Sequence, residues 1–213
     1  MSSLAIVLLA LVSATQCLPF IHPRQTTPAW CEGLGPGAFD TATNFTLTAY
    51  NITDTTLPPF TQIGLPLVVA TTQLGPLDTG ILATYVSYPY NDFPSFGLTS
   101  GALLPNYYAD WYTTDVGGEL GNDIPTFQWS PESDELDPPA QIYCAIANID
   151  PAGGGNPYPQ LAINTDANNF YLCINEEGWT EVVHSPSSNS TSYYPSYNLD
   201  SCYPVTIHLL GLD

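Results

Sequence analysis

The sequence predicts an all-β protein, a sandwich or a barrel built of short strands. Its 21 prolines and 16 glycines punctuate short runs rich in Thr, Val, Ile, Tyr and Phe, and turn signals at intervals of about 8–12 residues are typical of such folds. The prolines also disfavour long helices, because each one removes a backbone donor. The sequence sustains no apolar period of about 3.6 residues, which an amphipathic helix would need.

The strands are predicted where apolar and polar residues alternate or where β-branched and aromatic residues cluster. Residues 44–50, Asn-Phe-Thr-Leu-Thr-Ala-Tyr, alternate as a half-buried strand does. Runs of the same kind predict further strands at 65–70, 81–88, 125–129, 141–147, 161–163 and 203–210.

Two hairpins are predicted. Residues 95–104 carry Ser100-Gly101 at their centre, where a positive φ is tolerated. Strand-like runs at 170–174 and 179–184 flank an Asn-Glu-Glu-Gly turn, which is the clearest hairpin in the chain. The element Phe-x-Leu followed by a turn occurs three times, at Phe45, Phe96 and Phe170. Its recurrence makes a trefoil-like arrangement an alternative within the all-β class.

The charge balance excludes whole classes of partner. One basic residue, Arg24, stands against 20 Asp and Glu, so the formal charge is 1 − 20 = −19. Binding to nucleic acid or to an anionic membrane surface needs cations that replace the counterions of phosphates, and this chain lacks them. Self-repulsion at low pH should also be small, since protonated carboxylates would leave few charges, and we expect the protein to stay folded in acid.

The start of the chain predicts secretion. Residues 1–17 read as a signal peptide, with an apolar run at 4–12 and cleavage near 14–17, because the run is too short to span a membrane. Residues 18–30 form an irregular lead-in, and we expect one all-β domain over 31–213. The predicted location is outside the cell or in the cell wall.

Two further features of the sequence can be interpreted on the assumption that the protein is secreted. Three Asn-x-Ser/Thr triplets are candidate N-glycosylation sites, at Asn44, Asn51 and Asn189. Cys17 lies beside the predicted cleavage zone, and the four remaining cysteines predict two disulfides in an oxidising compartment, among Cys31, Cys144, Cys173 and Cys202. Of the three connectivities, we prefer Cys173 with Cys202 and Cys31 with Cys144, because the first pair would brace the polar loop between two late strands.

The strand and turn patterns resemble those of small secreted proteins of filamentous fungi that have no assigned activity. The likeness spans roughly residues 40–210 and is carried by 44–51 (NFTLTAYN), 88–96 (YPYNDFPSF) and 202–205 (CYPV). It implies compartment and fold, and it transfers no catalytic residue.

The most site-like stretch is aromatic. In Tyr107-Tyr108-Ala109-Asp110-Trp111, exposed ring faces would stack on sugar C–H surfaces while Asp110 accepts hydrogen bonds from sugar hydroxyls. A carbohydrate-binding module that recognises a glycan or a cell-wall polysaccharide is therefore one hypothesis. Packing within the core is the competing interpretation of such aromatic residues.

Hydrolase motifs are weak in this sequence. Asp78-Thr79-Gly80 matches one half of a pepsin-like site, but it occurs once, and we interpret it as a turn. Fungal glutamic peptidases are similar in size and acidity and use a Gln and a Glu on facing strands. The nearest candidates here are Gln128 and Glu181.

Metal and cofactor sites are not predicted. His184 and His208 lack a Gly-x-Ser-x-Gly partner motif, and nothing in the sequence places them together. The acidic run 132–137 lacks the glycine and terminal glutamate of a calcium loop, so we interpret it as a solvated loop. The leading functional prediction is a non-enzymatic, secreted, acidic glycoprotein; a carbohydrate-binding module and an acid hydrolase are the alternatives.

Overall fold

A computed structural model describes residues 28–53, 63–72, 78–106, 112–115, 124–130, 136, 138–149, 157–188 and 196–212. Within them the chain forms thirteen strands and one turn of 3₁₀ helix, Ala29–Cys31. The strands are β1 (Ala38–Phe39), β2 (Ala42–Asn51), β3 (Leu65–Thr72), β4 (Asp78–Thr84), β5 (Ser95–Thr99), β6 (Ala102–Asn106), β7 (Tyr112–Asp115), β8 (Thr126–Ser130), β9 (Tyr143–Ile146), β10 (Gln160–Ile163), β11 (Phe170–Asn175), β12 (Thr180–His184) and β13 (Tyr197–Leu210). The predicted all-β class is confirmed.

Six of these strands close into an antiparallel barrel. Around the ring the order is β2, β3, β4, β12, β11 and β13, and β13 pairs back onto β2. Closure depends on the length of β13, whose residues 197–205 pair with β11 while residues 205–210 pair with β2. Among the described strands this order lacks the three equivalent groups that a trefoil-like repeat needs, so the barrel option is the one realised.

The remaining strands extend the barrel on the outside. β10 takes up the edge of β13 at the Gln160–His208 pair, and β9 and β1 follow it. The β5–β6 hairpin pairs with the start of β2, and β8 pairs with β4 and carries β7.

The main core fills the inner face of the barrel. Alternate residues of all six barrel strands contribute to it, as the period of a strand requires. Phe45, Phe96 and Phe170 of the repeated Phe-x-Leu element all lie in this core, with at most 2% of their surface exposed. A second cluster covers the opposite face of β3, β4, β11 and β12, and includes Ala83, Cys173 and Val183.

Both disulfides are present, in the pairing preferred from the sequence. Cys31 and Cys144 join the 3₁₀ turn to β9 across 113 residues of sequence. Cys173 and Cys202 join β11 to β13 across 29 residues. Each bond therefore links two segments that are distant in the sequence.

Two sequence predictions near β4 are wrong. The predicted strand 81–88 ends at Thr84, because the Tyr88 N–H donates to the Thr84 carbonyl at 3.0 Å and turns the chain. The turn expected at Asp78-Thr79-Gly80 is instead the first part of β4, which pairs with β3 and β8. Close packing at position 80 leaves no room for a side chain, because a Cβ on Gly80 would lie 2.6 Å from Val69 Cγ1 and 2.9 Å from the Ala70 carbonyl oxygen.

The predicted Ser100-Gly101 hairpin turn is confirmed, with φ of 48° and 81°. Gly101 also packs under Trp30, whose Nε1 would lie 2.5 Å from a Cβ on the glycine. Its carbonyl accepts hydrogen bonds from the N–H groups of Ile142 and Tyr143 at 3.0 and 2.8 Å. The turn is thus tied to the 3₁₀ segment and to β9.

Gly101→Ala should therefore destabilise the protein by about 3 kcal/mol, since the new methyl group adds overpacking to the backbone cost of a positive φ. Gly178→Ala is the matched control, because Gly178 has a φ of 82° and a Cβ added to it would meet nothing within 4 Å. It should cost about 1 kcal/mol. Denaturant midpoints of the two variants give the comparison, and equal costs would contradict the packing argument.

Candidate functional site

The hairpin between β11 and β12 forms one side of the candidate site. The Gly178 N–H donates to the Asn175 carbonyl at 3.0 Å, and the Asn175 N–H donates to the Trp179 carbonyl at 2.9 Å. The Asn175 side chain adds a third bond, in which its Oδ1 accepts from the Trp179 N–H at 2.9 Å. Because Asn175 is 5% exposed, this amide fixes the backbone of Trp179 from beneath.

Glu181 lies next to this amide and has no exposed surface. Asn175 Nδ2 donates to Glu181 Oε2 at 2.8 Å, while Oε1 has no hydrogen-bond partner among the described residues. Burial raises the pKa of Glu181 to about 8, although the bond from Asn175 acts in the opposite direction. The side chain is therefore a neutral acid at pH 7.

The connection between β4 and β5 forms the other side. Ser87 Oγ accepts a hydrogen bond from the Thr180 N–H at 2.9 Å and donates to the Thr84 carbonyl at 3.0 Å. Tyr88 is anchored by a 2.8 Å hydrogen bond between its hydroxyl and Thr71 Oγ1. These bonds hold the connection against the start of β12.

Three aromatic rings meet where the two sides join. The Tyr88 ring lies edge-on to Trp179, with ring centroids 5.1 Å apart, and edge-on to Tyr90 at 5.2 Å. Tyr90 is 63% exposed, and on the same connection Tyr85 and Val86 are 45% and 76% exposed. We call Tyr88, Tyr90 and Trp179 the aromatic surface.

This geometry can accommodate a sugar ring. An aromatic face carries partial negative charge and attracts the weakly positive C–H face of a pyranose, and Tyr also offers a hydroxyl. The exposed side chains of Asn91 and Asp92 follow Tyr90 on the same connection and can accept hydrogen bonds from sugar hydroxyls.

The site predicted from sequence is a different one. Tyr107, Tyr108, Asp110 and Trp111 lie outside the described residues, as do Asn189 and the acidic residues at 132–135 and 137. The predicted leader and most of the lead-in, residues 1–27, also lie outside them. The aromatic surface was missed, although Tyr88-Pro89-Tyr90 stands out in the sequence, because its approach to Trp179 depends on the pairing of β4 with β12.

The two histidines do not come together. His184 Nε2 lies 3.8 Å from Asp166 Oδ2, whereas His208 lies on β13 with 4% exposure, 3.2 Å from Thr206 Oγ1. Burial lowers the pKa of His208 to about 4. Partial burial alone would raise the pKa of Asp166, but hydrogen bonds from Asn168 and Asn169 and the nearby His184 together hold it below its usual value. The described residues include no cluster of three metal-ligating side chains.

The Gln–Glu pair of a glutamic peptidase is not formed by Gln128 and Glu181. Gln128 is paired with Thr79, and Glu181 is paired with Ala83, along the edge of β4 that faces away from β3. Those two β4 residues are four positions apart, or about 13 Å along the strand. The separation is too great for two side chains to act on one bond.

Comparison with known proteins adds no assignment, because no family model, curated protein or solved structure matches this chain. No helix in the described part of the chain is long and apolar enough to cross a membrane.

Proposed function

We propose that the protein is a secreted, non-enzymatic, acidic glycoprotein of the extracellular space or cell wall, and that it binds neutral polysaccharide through the aromatic surface. The observation that carries the proposal is the fixed arrangement of Tyr88, Tyr90 and Trp179. The hydroxyl of Tyr88 and the backbone groups of Trp179 and Tyr90 are hydrogen-bonded, so these residues lose little freedom on binding and more of the stacking energy remains as affinity.

The charge of the chain supports a neutral ligand. Residues 25–213 contain no Lys or Arg, so an acidic polysaccharide would meet repulsion without a compensating cation. A neutral glucan or chitin-type chain presents C–H faces and hydroxyls, which aromatic rings and carboxylates bind without charge pairing.

Two described carboxyl groups support a binding role over hydrolysis. Glu181 has the raised pKa expected of a catalytic acid, but it is fully buried and engaged by Asn175. Asp166 accepts hydrogen bonds from the Asn168 N–H and from the Asn169 side chain. Glu181 therefore cannot reach a bond in a polymer, and both carboxylate oxygens of Asp166 already accept hydrogen bonds.

Tyr90→Ala and Trp179→Ala should each weaken polysaccharide binding about tenfold, the equivalent of one lost stacking contact of about 1.4 kcal/mol. The measurement is depletion of protein from solution by insoluble cellulose, chitin or β-1,3-glucan, with assay of released reducing ends alongside. Ile149→Ala is the matched control, because Ile149 is 58% exposed and lies outside the aromatic surface.

Retention of binding by both aromatic variants, or an equal loss in Ile149→Ala, would refute this surface as the site. Failure to bind all three polymers would refute polysaccharide binding as the function. Release of reducing ends by the wild-type protein would favour the hydrolase alternative.

A further inference from the structure

A pocket opens at one end of the barrel, and none of its lining residues belongs to the aromatic surface. Its volume is about 410 Å³, within the range of about 300–1,000 Å³ that small-ligand sites occupy. Ile63, Leu65, Leu172 and Tyr203 supply apolar lining, and Asn51 lies among them. Ile63 and Leu65 are 54% and 38% exposed, so the mouth of the barrel presents apolar surface to water.

Asn51 is also the first residue of an Asn-Ile-Thr triplet. Its Oδ1 accepts hydrogen bonds from the N–H of Thr53 at 2.8 Å and from the Thr53 hydroxyl at 2.7 Å. The turn therefore holds the carboxamide by its oxygen. The nitrogen Nδ2, to which an N-linked sugar attaches, is the other branch of the same group.

We infer that an N-linked glycan on Asn51 covers this pocket, with its first sugar ring against Tyr203 and the apolar residues Ile63 and Leu65. The inference depends on the proposed passage through the secretory pathway. In the modification, Nδ2 loses a proton and bonds to the anomeric carbon of a lipid-linked oligosaccharide, whose bond to pyrophosphate breaks. The first sugar then begins at a residue that lines the pocket, so covering it requires no long reach.

Packing of the glycan on the pocket is favourable because it buries the apolar lining. A sugar has an apolar C–H face, and a phenol ring provides a flat surface on which it can pack. Removing exposed Ile and Leu surface from water is favourable by about 25 cal/mol per Å². The hydroxyl edge of the sugar remains in water.

Asn44 is a second triplet residue in a different setting. It is exposed, has a φ of 57° and lies where the pairing of β2 with β5 is irregular. It does not line the pocket, so a glycan there would extend into solvent. Asn44 is thus an internal control for a sugar that is attached without being packed.

The test uses full-length protein secreted from a eukaryotic host. Peptide mass mapping should find a glycan on Asn51. Asn51→Gln should raise the fluorescence of an uncharged apolar dye such as Nile red severalfold, because the pocket is uncovered, whereas Asn44→Gln should leave it unchanged. An endoglycosidase that leaves one N-acetylglucosamine should preserve the low signal, because the first ring provides the cover.

Thr53 separates the sugar from the asparagine itself. Thr53→Ala removes the triplet but keeps Asn51 and should match Asn51→Gln, while Thr53→Ser keeps the triplet and should match the wild type. An unmodified Asn51 in the secreted protein, or equal dye signals for Asn51→Gln and Asn44→Gln, would overturn the inference. Polysaccharide binding should be the same in all four variants, so failure of the proposed function would be distinguishable from failure here.

Discussion

Replacing Cys31 and Cys144 together by Ala should lower the free energy of unfolding by about 5 kcal/mol, the largest loss expected from any single cross-link in the chain. The bond closes a loop of 113 residues, and the entropy that a cross-link removes from the unfolded chain grows with the logarithm of loop length. Both cysteines are fully buried, so a cavity would add to the loss.

The second disulfide is the natural comparison. Replacing Cys173 and Cys202 by Ala opens a loop of 29 residues and should cost about 3.5 kcal/mol. Guanidinium unfolding of both double variants, with the wild type in parallel, measures the difference. If the shorter loop proved the costlier to open, loop length would not be what governs these two bonds.

The ionisation of Glu181 should lower stability as the pH rises from about 5 to 8, with a net fall above about pH 6.5, and Glu181→Gln should remove this contribution. The pKa of Glu181 is about 8 in the folded protein against 4.5 for an ordinary glutamate. Between those values the unfolded chain releases a proton that the folded protein keeps, so ionisation favours unfolding. At about 1.36 kcal/mol per pH unit, the loss is on the order of 4 kcal/mol.

His208 produces the opposite slope at lower pH. Its pKa is about 4 in the folded protein and 6.5 when unperturbed, so stability is lost as the pH falls through that interval. The two groups compensate between about pH 4.5 and 6.5, where stability should be greatest. The acid resistance expected from the charge balance is thus opposed by one buried imidazole.

Urea unfolding at pH 5, 6.5 and 8 tests this assignment. Glu32→Gln is the control, because it removes one carboxyl group from an exposed position. Glu181→Gln should flatten the alkaline side of the profile, and Glu32→Gln should leave it sloped. An alkaline slope that survives in Glu181→Gln would show that general repulsion among carboxylates causes it.

The local features of the fold were predictable, and the closure of the barrel was not. The alternation over 44–50 and the turn residues Ser100, Gly101 and Gly178 act on neighbouring residues, so the sequence displays them directly. Residues 197–202 were not predicted as strand, because residues 198–200 are exposed and show no buried alternate positions. Their pairing with β11 and the bond from Cys202 to Cys173 hold them extended instead.

In the candidate site too, local features were predictable from the sequence and long-range contacts were not. Trp179 and Glu181 were placed correctly on a hairpin, where Glu181 has the sequence context of an ordinary polar strand residue. Its surroundings are Asn175 beside it and Ala83 of β4, its pairing partner, which lies about one hundred positions earlier in the chain. A perturbed carboxyl of this kind is a property of the assembled neighbourhood, and no local pattern encodes it.

The late position of β13 has a consequence for biosynthesis. Asn51 on β2 is paired with Val205 on β13, 205 − 51 = 154 residues further along. At ribosomal speeds of about 5–20 residues per second, β13 is synthesised on the order of ten to thirty seconds after β2. Throughout that interval the nascent chain carries an unsatisfied strand edge, so chaperones or prompt completion of synthesis must keep it from pairing with other chains.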